Sequence, residues 1–135
     1  KNQICRSKQI GFTCMADGKG LAYMEPADLY ALFGNALENA IEATEQLTDP
    51  AQKQIVLTVR PVEGFCSVHL QNYTKEPLRL ENGLPVTSKQ DRLNHGFGTR
   101  SMQLLVEKYG GELTFQQEVD VVNIYMLLPS RPAGE

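Results

Sequence analysis

The sequence predicts an α+β fold: a two-layer α/β sandwich in which a mixed, mostly antiparallel sheet packs on helices, in one domain spanning residues 1–135. Three patterns carry this expectation. Apolar residues recur at helical spacing from Pro26 to Leu47, alternating apolar residues mark paired strands around short turns, and a second helical pattern follows a glycine-rich run at residues 95–101.

Taken in order, Ile10, Phe12 and Cys14 alternate as in a half-buried strand, Asp17-Gly18-Lys19-Gly20 turns the chain, and Leu21 to Met24 leads to Pro26. Proline suits the first turn of a helix, where its missing N–H would have no partner anyway, and Asp28 suits the positive helix start. The helix should end before Asp49-Pro50, because proline disfavours helical geometry in the residue before it. At about 100° per residue, Leu29, Leu32, Phe33, Ala36, Leu37, Ala40, Ala43 and Leu47 share one face. Asn35, Asn39, Glu42 and Gln46 form a polar stripe along its edge, with Asn39 nearest the apolar side. A hairpin follows, with Ile55, Leu57 and Val59 on one strand, Cys66, Val68 and Leu70 on the next, and Glu63-Gly64 as the turn. His69 alternates with the core residues and reads as an exposed strand histidine.

From Lys75 to Asn94 periodicity is lost, and Pro77, Gly83, Pro85, Thr87, Ser88 and Lys89 mark a loop of roughly twenty residues, a length that is usually functional or disordered. A helix from Gly98 to Tyr109 is closed by Gly110-Gly111. Leu113 and Phe115, then Val122, Ile124, Met126 and Leu128, form two antiparallel strands, and residues 130–135 read as a frayed tail.

Composition bounds the function without selecting it. The chain is 41% apolar and 21% charged, enough for one well-buried core. Three cysteines at positions 5, 14 and 66 give neither a disulfide framework nor a zinc spacing, which fits a reducing cytoplasm. No apolar run approaches a membrane span, and a net charge of −3 leaves no nucleic-acid footprint, so neither nucleic acid nor direct membrane contact is expected of these residues.

Two stretches carry chemistry. In Asn35-Ala36-Leu37-Glu38-Asn39-Ala40-Ile41-Glu42 two carboxamides sit four residues apart on one helix, and burying an unpartnered amide costs roughly 1–3 kcal/mol, so a bonding partner or ligand is expected at Asn39. The plainer reading is an amphipathic helix with a solvated acidic side. The second stretch is His95-Gly96-Phe97-Gly98-Thr99-Arg100-Ser101, a glycine-rich lead into a helix. Glycines there let a ligand approach the backbone, and the unbonded first-turn N–H groups favour an anion such as phosphate. Arg100 supplies charge, and Thr99 and Ser101 supply hydroxyls. An ordinary capped loop is the plainer alternative.

In this order and about sixty residues apart, the two stretches resemble the nucleotide-binding domain of the GHKL superfamily, with its Bergerat-type fold, and within it the sensor histidine kinases, especially the peptide-sensing quorum receptors. The run from Leu32 to Ala43 is similar to the N box, and His95 to Ser101 with Lys108-Tyr109-Gly110-Gly111 is similar to the G2 box. The resemblance implies ATP and Mg²⁺ as cofactors. It matches Asn39 to the asparagine that coordinates Mg²⁺, and Asn35 to the position where hydrolysing members place a water-activating glutamate. An amide cannot take that proton, which points to phosphoryl transfer onto another nucleophile rather than hydrolysis. Glu38 is turned further from Asn39's side.

The family's D-x-G-x-G adenine motif is missing. Its place reads Gln71-Asn72-Tyr73-Thr74, so Asn72 stands in, offering an uncharged oxygen to the adenine amino group, or is simply a strand-end turn residue. The resemblance makes residues 75–95 the ATP lid, with Lys89 and Arg92 as phosphate contacts or incidental loop charges, and places His95, Gly96, Phe97, Gly98, Thr99 and Arg100 around the nucleotide with Glu42. His95 is not taken as the phosphoacceptor, which such kinases carry on a separate helical dimerisation domain. The implied partners are that histidine-bearing domain and a response regulator, in a cytoplasmic segment of a membrane-anchored parent. Two other readings stay open: an anti-sigma-factor-type serine kinase and a non-catalytic nucleotide-sensing module.

Overall fold

The computed structural model describes residues 9–75, 80–81, 84–85 and 96–130. Its elements run β1 (Gly11–Ala16), α1 (Pro26–Glu45), β2 (Gln54–Val62), β3 (Phe65–Tyr73), β4 (Leu80–Glu81), β5 (Leu84–Pro85), α2 (Gly96–Lys108), β6 (Glu112–Glu118) and β7 (Val121–Pro129), with single 3₁₀ turns at Lys19–Leu21 and Pro50–Gln52. The main sheet has the order β1-β2-β3-β7-β6; β1 pairs in parallel with β2 and every other neighbour is antiparallel. A parallel pair needs a crossover, and α1 supplies it. Both helices lie on one face of the sheet. Leu32, Ala36 and Ala40 of α1 and Met102 and Val106 of α2 meet Ile55, Val68, Leu70, Ile124, Met126 and Leu128 there.

Local chemistry sets the ends of these elements. Pro26 opens α1 and Asp28 lies in its first turn. Past α1, the Asp49 carboxylate accepts the Ala51 N–H at 2.9 Å and caps the 3₁₀ turn that leads into β2. Between β2 and β3, Glu63 and Gly64 both have positive φ, 33° and 83°, as a two-residue hairpin turn matched to strand twist requires. α2 ends in a double closure: Gly111 N–H reaches Val106 O at 2.9 Å, and Gly110 N–H, at φ 76°, reaches Glu107 O at 3.0 Å. A side chain at Gly111 would put its Cβ 2.5 Å from Leu127 O, so glycine is what lets β7 approach the helix end.

The expected elements are present, with five differences. Cys14, expected to alternate with Ile10 and Phe12 on the covered side of β1, is exposed, because β1 is an edge strand whose second half is uncovered. The buried face of α1 is turned toward β2 and β3, so Ile41 and Thr44 join the core while Ala43 is half-buried; the Thr44 hydroxyl is satisfied by Ala40 O at 2.6 Å. α2 begins at Gly96 rather than Gly98, so both glycines lie inside the first turn of the helix. Within the stretch read as a loop, Leu80–Glu81 and Leu84–Pro85 pair as a small antiparallel hairpin, too short to show any period. His69 is half-buried rather than exposed. Its ring stacks on Tyr125 with centroids 4.4 Å apart, and its Nε2 lies 2.7 Å from Asn123 Oδ1.

Candidate functional site

The two helices run antiparallel. Asp28, near the start of α1, is bonded to Lys108 at the end of α2, while Asn35, further along α1, meets Gly98 at the start of α2. The N-terminal end of α2 therefore points toward the Asn39–Glu42 half of α1. Its first-turn N–H groups, which have no partner within the helix, and the partial positive charge of the helix start lie at that end. On the sheet, Asn72 pairs with Ile55 and Val122 on the helix-facing side, at the end where α1 returns into β2. The topology thus brings Asn35, Asn39, the first turn of α2 and Asn72 to one end of the sandwich, from sequence positions up to about sixty residues apart.

Gly98 is the informative residue. Its φ is not in the positive region, so the backbone does not require glycine. A Cβ built on it would lie 3.6 Å from Asn35 Oδ1, ordinary van der Waals distance, so packing among the described residues does not require glycine either. Glycine inside a helix costs roughly 0.5–1 kcal/mol against alanine. The space in front of the backbone suits close approach by a ligand.

The carboxamides complement that space. Asn35 and Asn39 are half-buried, and neither side chain is hydrogen-bonded to protein among the described residues. No fully enclosed side-chain polar atom lacks a partner there, so both amides retain contact with solvent and are open to a ligand. Glu38 is exposed and about 100° around the helix from Asn39, and Glu42 is half-buried and engaged in an interaction. Of the two hydroxyls near the helix start, Thr99 is buried and engaged within the protein and Ser101 is half-buried, whereas the Arg100 guanidinium is exposed. Asn72 is only 3% exposed, and its Nδ2 donates to Tyr73 O at 2.9 Å, which directs Oδ1 to serve as an acceptor. Lys89, Arg92 and His95, and the side chain of Phe97, lie outside the described residues.

No group of three or more His, Cys, Asp or Glu side chains suited to a metal exists among the described residues. A Mg²⁺ held by one or two protein oxygens, phosphate oxygens and water needs no such cage, so the donor set, a lone half-buried carboxamide beside an anion-favouring helix start, fits that ion's preference. Among the described residues no helix is long and apolar enough to cross a membrane.

Sequence reasoning missed a second cluster at the opposite end of the helix pair. Asp28 Oδ2 accepts from Lys108 Nζ at 2.7 Å and from Tyr109 OH at 2.5 Å, and the Glu25 N–H donates to Tyr109 OH at 3.2 Å. The Lys108 hydrogen bond, and after it that of Tyr109, holds the Asp28 carboxyl below the usual carboxylate range. The same bond to Asp28 raises Lys108 and Tyr109. These contacts span about eighty residues of sequence, and no local spacing rule reaches that far.

An α/β sandwich whose carboxamide-bearing helix faces the glycine-led start of a second helix is a class of domain met in known proteins. The GHKL domain family model matches residues 24–129, and the chain belongs to that family. No curated protein matches it in sequence. Solved structures share its fold: the catalytic domain of histidine kinase ThkA superposes with a TM-score of 0.72 at 18% identity, covering 97% of this chain and 86% of that one. The histidine kinase domain of the Erythrobacter litoralis EL346 blue-light activated kinase gives 0.65 at 17% identity, covering 95% of this chain and 56% of that one. Full-length ShkA in complex with AMPPNP gives 0.65 at 16% identity, covering 97% of this chain and 28% of that one.

Proposed function

We propose that this chain is the ATP-binding catalytic domain of a two-component sensor histidine kinase, which presents the ATP γ-phosphate to a histidine on a separate dimerisation domain. The observation that carries this reading is Gly98, a helical glycine that neither conformation nor packing requires, set against the half-buried, protein-unbonded carboxamides of Asn35 and Asn39. The AMPPNP complex of the structurally similar ShkA supports it.

Each residue has a stated task. The first-turn N–H groups of α2, from Gly96 and Gly98 onward, bind phosphate oxygens, and exposed Arg100 adds a charge-assisted contact. Asn39 Oδ1 is the protein ligand for Mg²⁺, which when bound offsets charge on the phosphates. Asn72 Oδ1 accepts from the adenine amino group, and residues 75–95 form the lid, with Lys89 and Arg92 as its phosphate contacts and His95 at its base, as a cap or a phosphate contact. Asn35 lies beside the phosphate path and, being an amide, cannot deprotonate water. The protein therefore positions the γ-phosphate and leaves the nucleophile to its partner. The parent is membrane-anchored, of the peptide-sensing quorum type, and passes its phosphoryl group to a response regulator.

The test is phosphate transfer from labelled ATP and Mg²⁺ to the parent chain carrying its acceptor histidine. Transfer to histidine is the expected result, and the isolated 135 residues should bind ATP without labelling themselves. Labelling of a serine, or binding without transfer, would contradict it. Preference for ATP over GTP that is lost in Asn72→Ala would support the adenine contact.

A further inference from the structure

We infer that the Asp28–Tyr109–Lys108 cluster is a positioning device for the phosphate subsite: it fixes the angle of α2 against α1 from the far end and so holds Gly98 in front of Asn35. The inference rests on the nucleotide-binding reading above.

The geometry is that of a lever with a fixed pivot. At the pivot the last residues of α2 are bound on two sides. Asp28 holds Lys108 and Tyr109 on the α1 side, at 2.7 and 2.5 Å. On the sheet side, Gly111 packs against Leu127 O so closely that no side chain fits. Tyr23 completes the corner, with its ring edge-on to Tyr109 at 6.0 Å and its hydroxyl donating to Pro129 O at 2.7 Å. Lys108 Nζ also lies 5.4 Å from the Tyr109 ring centroid, within cation–π range.

From Tyr109 to Gly98 the helix rises about 16 Å, so a tilt of about 10° at the pivot moves Gly98 by about 3 Å. A displacement of that size would uncouple the first-turn N–H groups from the Asn35–Asn39 stripe. At the Gly98 end Thr99 and Glu42 are each engaged as well, while at the pivot Asp28 ties α1 directly to the end of α2. The pivot therefore adds directional hydrogen bonds to the packing of Met102 and Val106 in holding that angle. A merely local role for Asp28, as an acid in the first turn of a helix, requires neither Tyr109 nor Lys108.

The experiment compares the unmutated chain with Tyr109→Phe, Asp28→Asn and Lys108→Arg by calorimetric titration with Mg²⁺–ATP and with adenosine, alongside amide NMR spectra of the ligand-free proteins. Tyr109→Phe and Asp28→Asn are expected to weaken ATP about three- to tenfold and adenosine less than twofold, because the lever moves the phosphate subsite and leaves Asn72 in place. The amide signals of Asn35 and Gly98 shift in the same two variants, and Lys108→Arg, which keeps a donor to Asp28, behaves as the unmutated chain. Equal weakening of ATP and adenosine, or a lowered melting temperature with unchanged ATP affinity and unmoved Asn35 and Gly98 signals, overturns the inference. If the unmutated chain binds no ATP, the functional reading fails. The shifts at Asn35 and Gly98 still decide whether the far end sets the helix angle.

Discussion

The two ends of the α1–α2 pair are built on opposite terms. At the Asp28–Tyr109 end, donors and acceptors are matched: carboxylate to ammonium and phenol, phenol to backbone N–H, and glycine where two backbones touch. At the Asn35–Gly98 end, two carboxamides carry no protein hydrogen bonds among the described residues, and a glycine occupies a position that alanine would fit. Natural helices gain stability from matched ends, and unspent bonding capacity concentrates where a ligand completes it. The contrast separates residues that tie the helices together from residues left open to a ligand, and substitutions should tell the two apart.

Gly111→Ala is expected to be the most damaging change at the matched end. Its Cβ would meet Leu127 O at 2.5 Å, so β7 or the helix end must move, at a cost of about 2–3 kcal/mol in denaturant titration. Gly98→Ala should do the reverse at the binding end: thermal stability rises by about 0.5–1 kcal/mol while Mg²⁺–ATP affinity falls about tenfold. Loss of stability in Gly98→Ala with unchanged affinity would erase the distinction between the ends.

The pH dependence of stability addresses the matched end alone. Because the folded-state carboxyl of Asp28 titrates below its unfolded value, its stabilisation is present above the ordinary carboxylate range and is lost as pH falls through the lowered value. Lys108 and Tyr109 are raised, so their share is present below their ordinary ranges and is lost as pH rises through the raised values. Melting curves from about pH 7 down to about pH 3 should therefore fall more steeply for the unmutated chain than for Asp28→Asn. Parallel curves would show that the contact adds nothing. The smallest effect lies outside the pair. Val119, 94% exposed in the β6–β7 turn, has φ 56°, strained for a β-branched residue, and Val119→Gly is expected to raise stability by about 1 kcal/mol without touching affinity.

Much of this was legible in the sequence, for physical reasons that also mark the limit. The periods of α1, β2, β3 and β7 are long and regular, and their boundaries fell within a few residues, as with α1 ending at Glu45 rather than Leu47. The local chemistry of Pro26, Glu63-Gly64 and Gly110-Gly111 reads from single residues. The β3–β7 pairing, which places β7 between β3 and β6, is set by contacts about fifty residues apart that no window spans. The turned face of α1 admitted Ile41 and Thr44 because the sheet, not the helix, decides which side is covered. His69 was misread for the same reason: Tyr125, its stacking partner, belongs to a distant strand. Of the site, the residue types were visible in the sequence, whereas the meeting of Asn35 with Gly98, and the bonding of Asp28 to Tyr109, required the fold.

The most direct measurement is calorimetric titration of this chain with ATP, with and without Mg²⁺, against Asn39→Ala. The account predicts that Mg²⁺ strengthens ATP binding to the unmutated chain, and that Asn39→Ala loses at least about tenfold of the Mg²⁺-dependent affinity with its melting temperature held. Identical titrations for the two proteins, or no heat of binding from either, would contradict it.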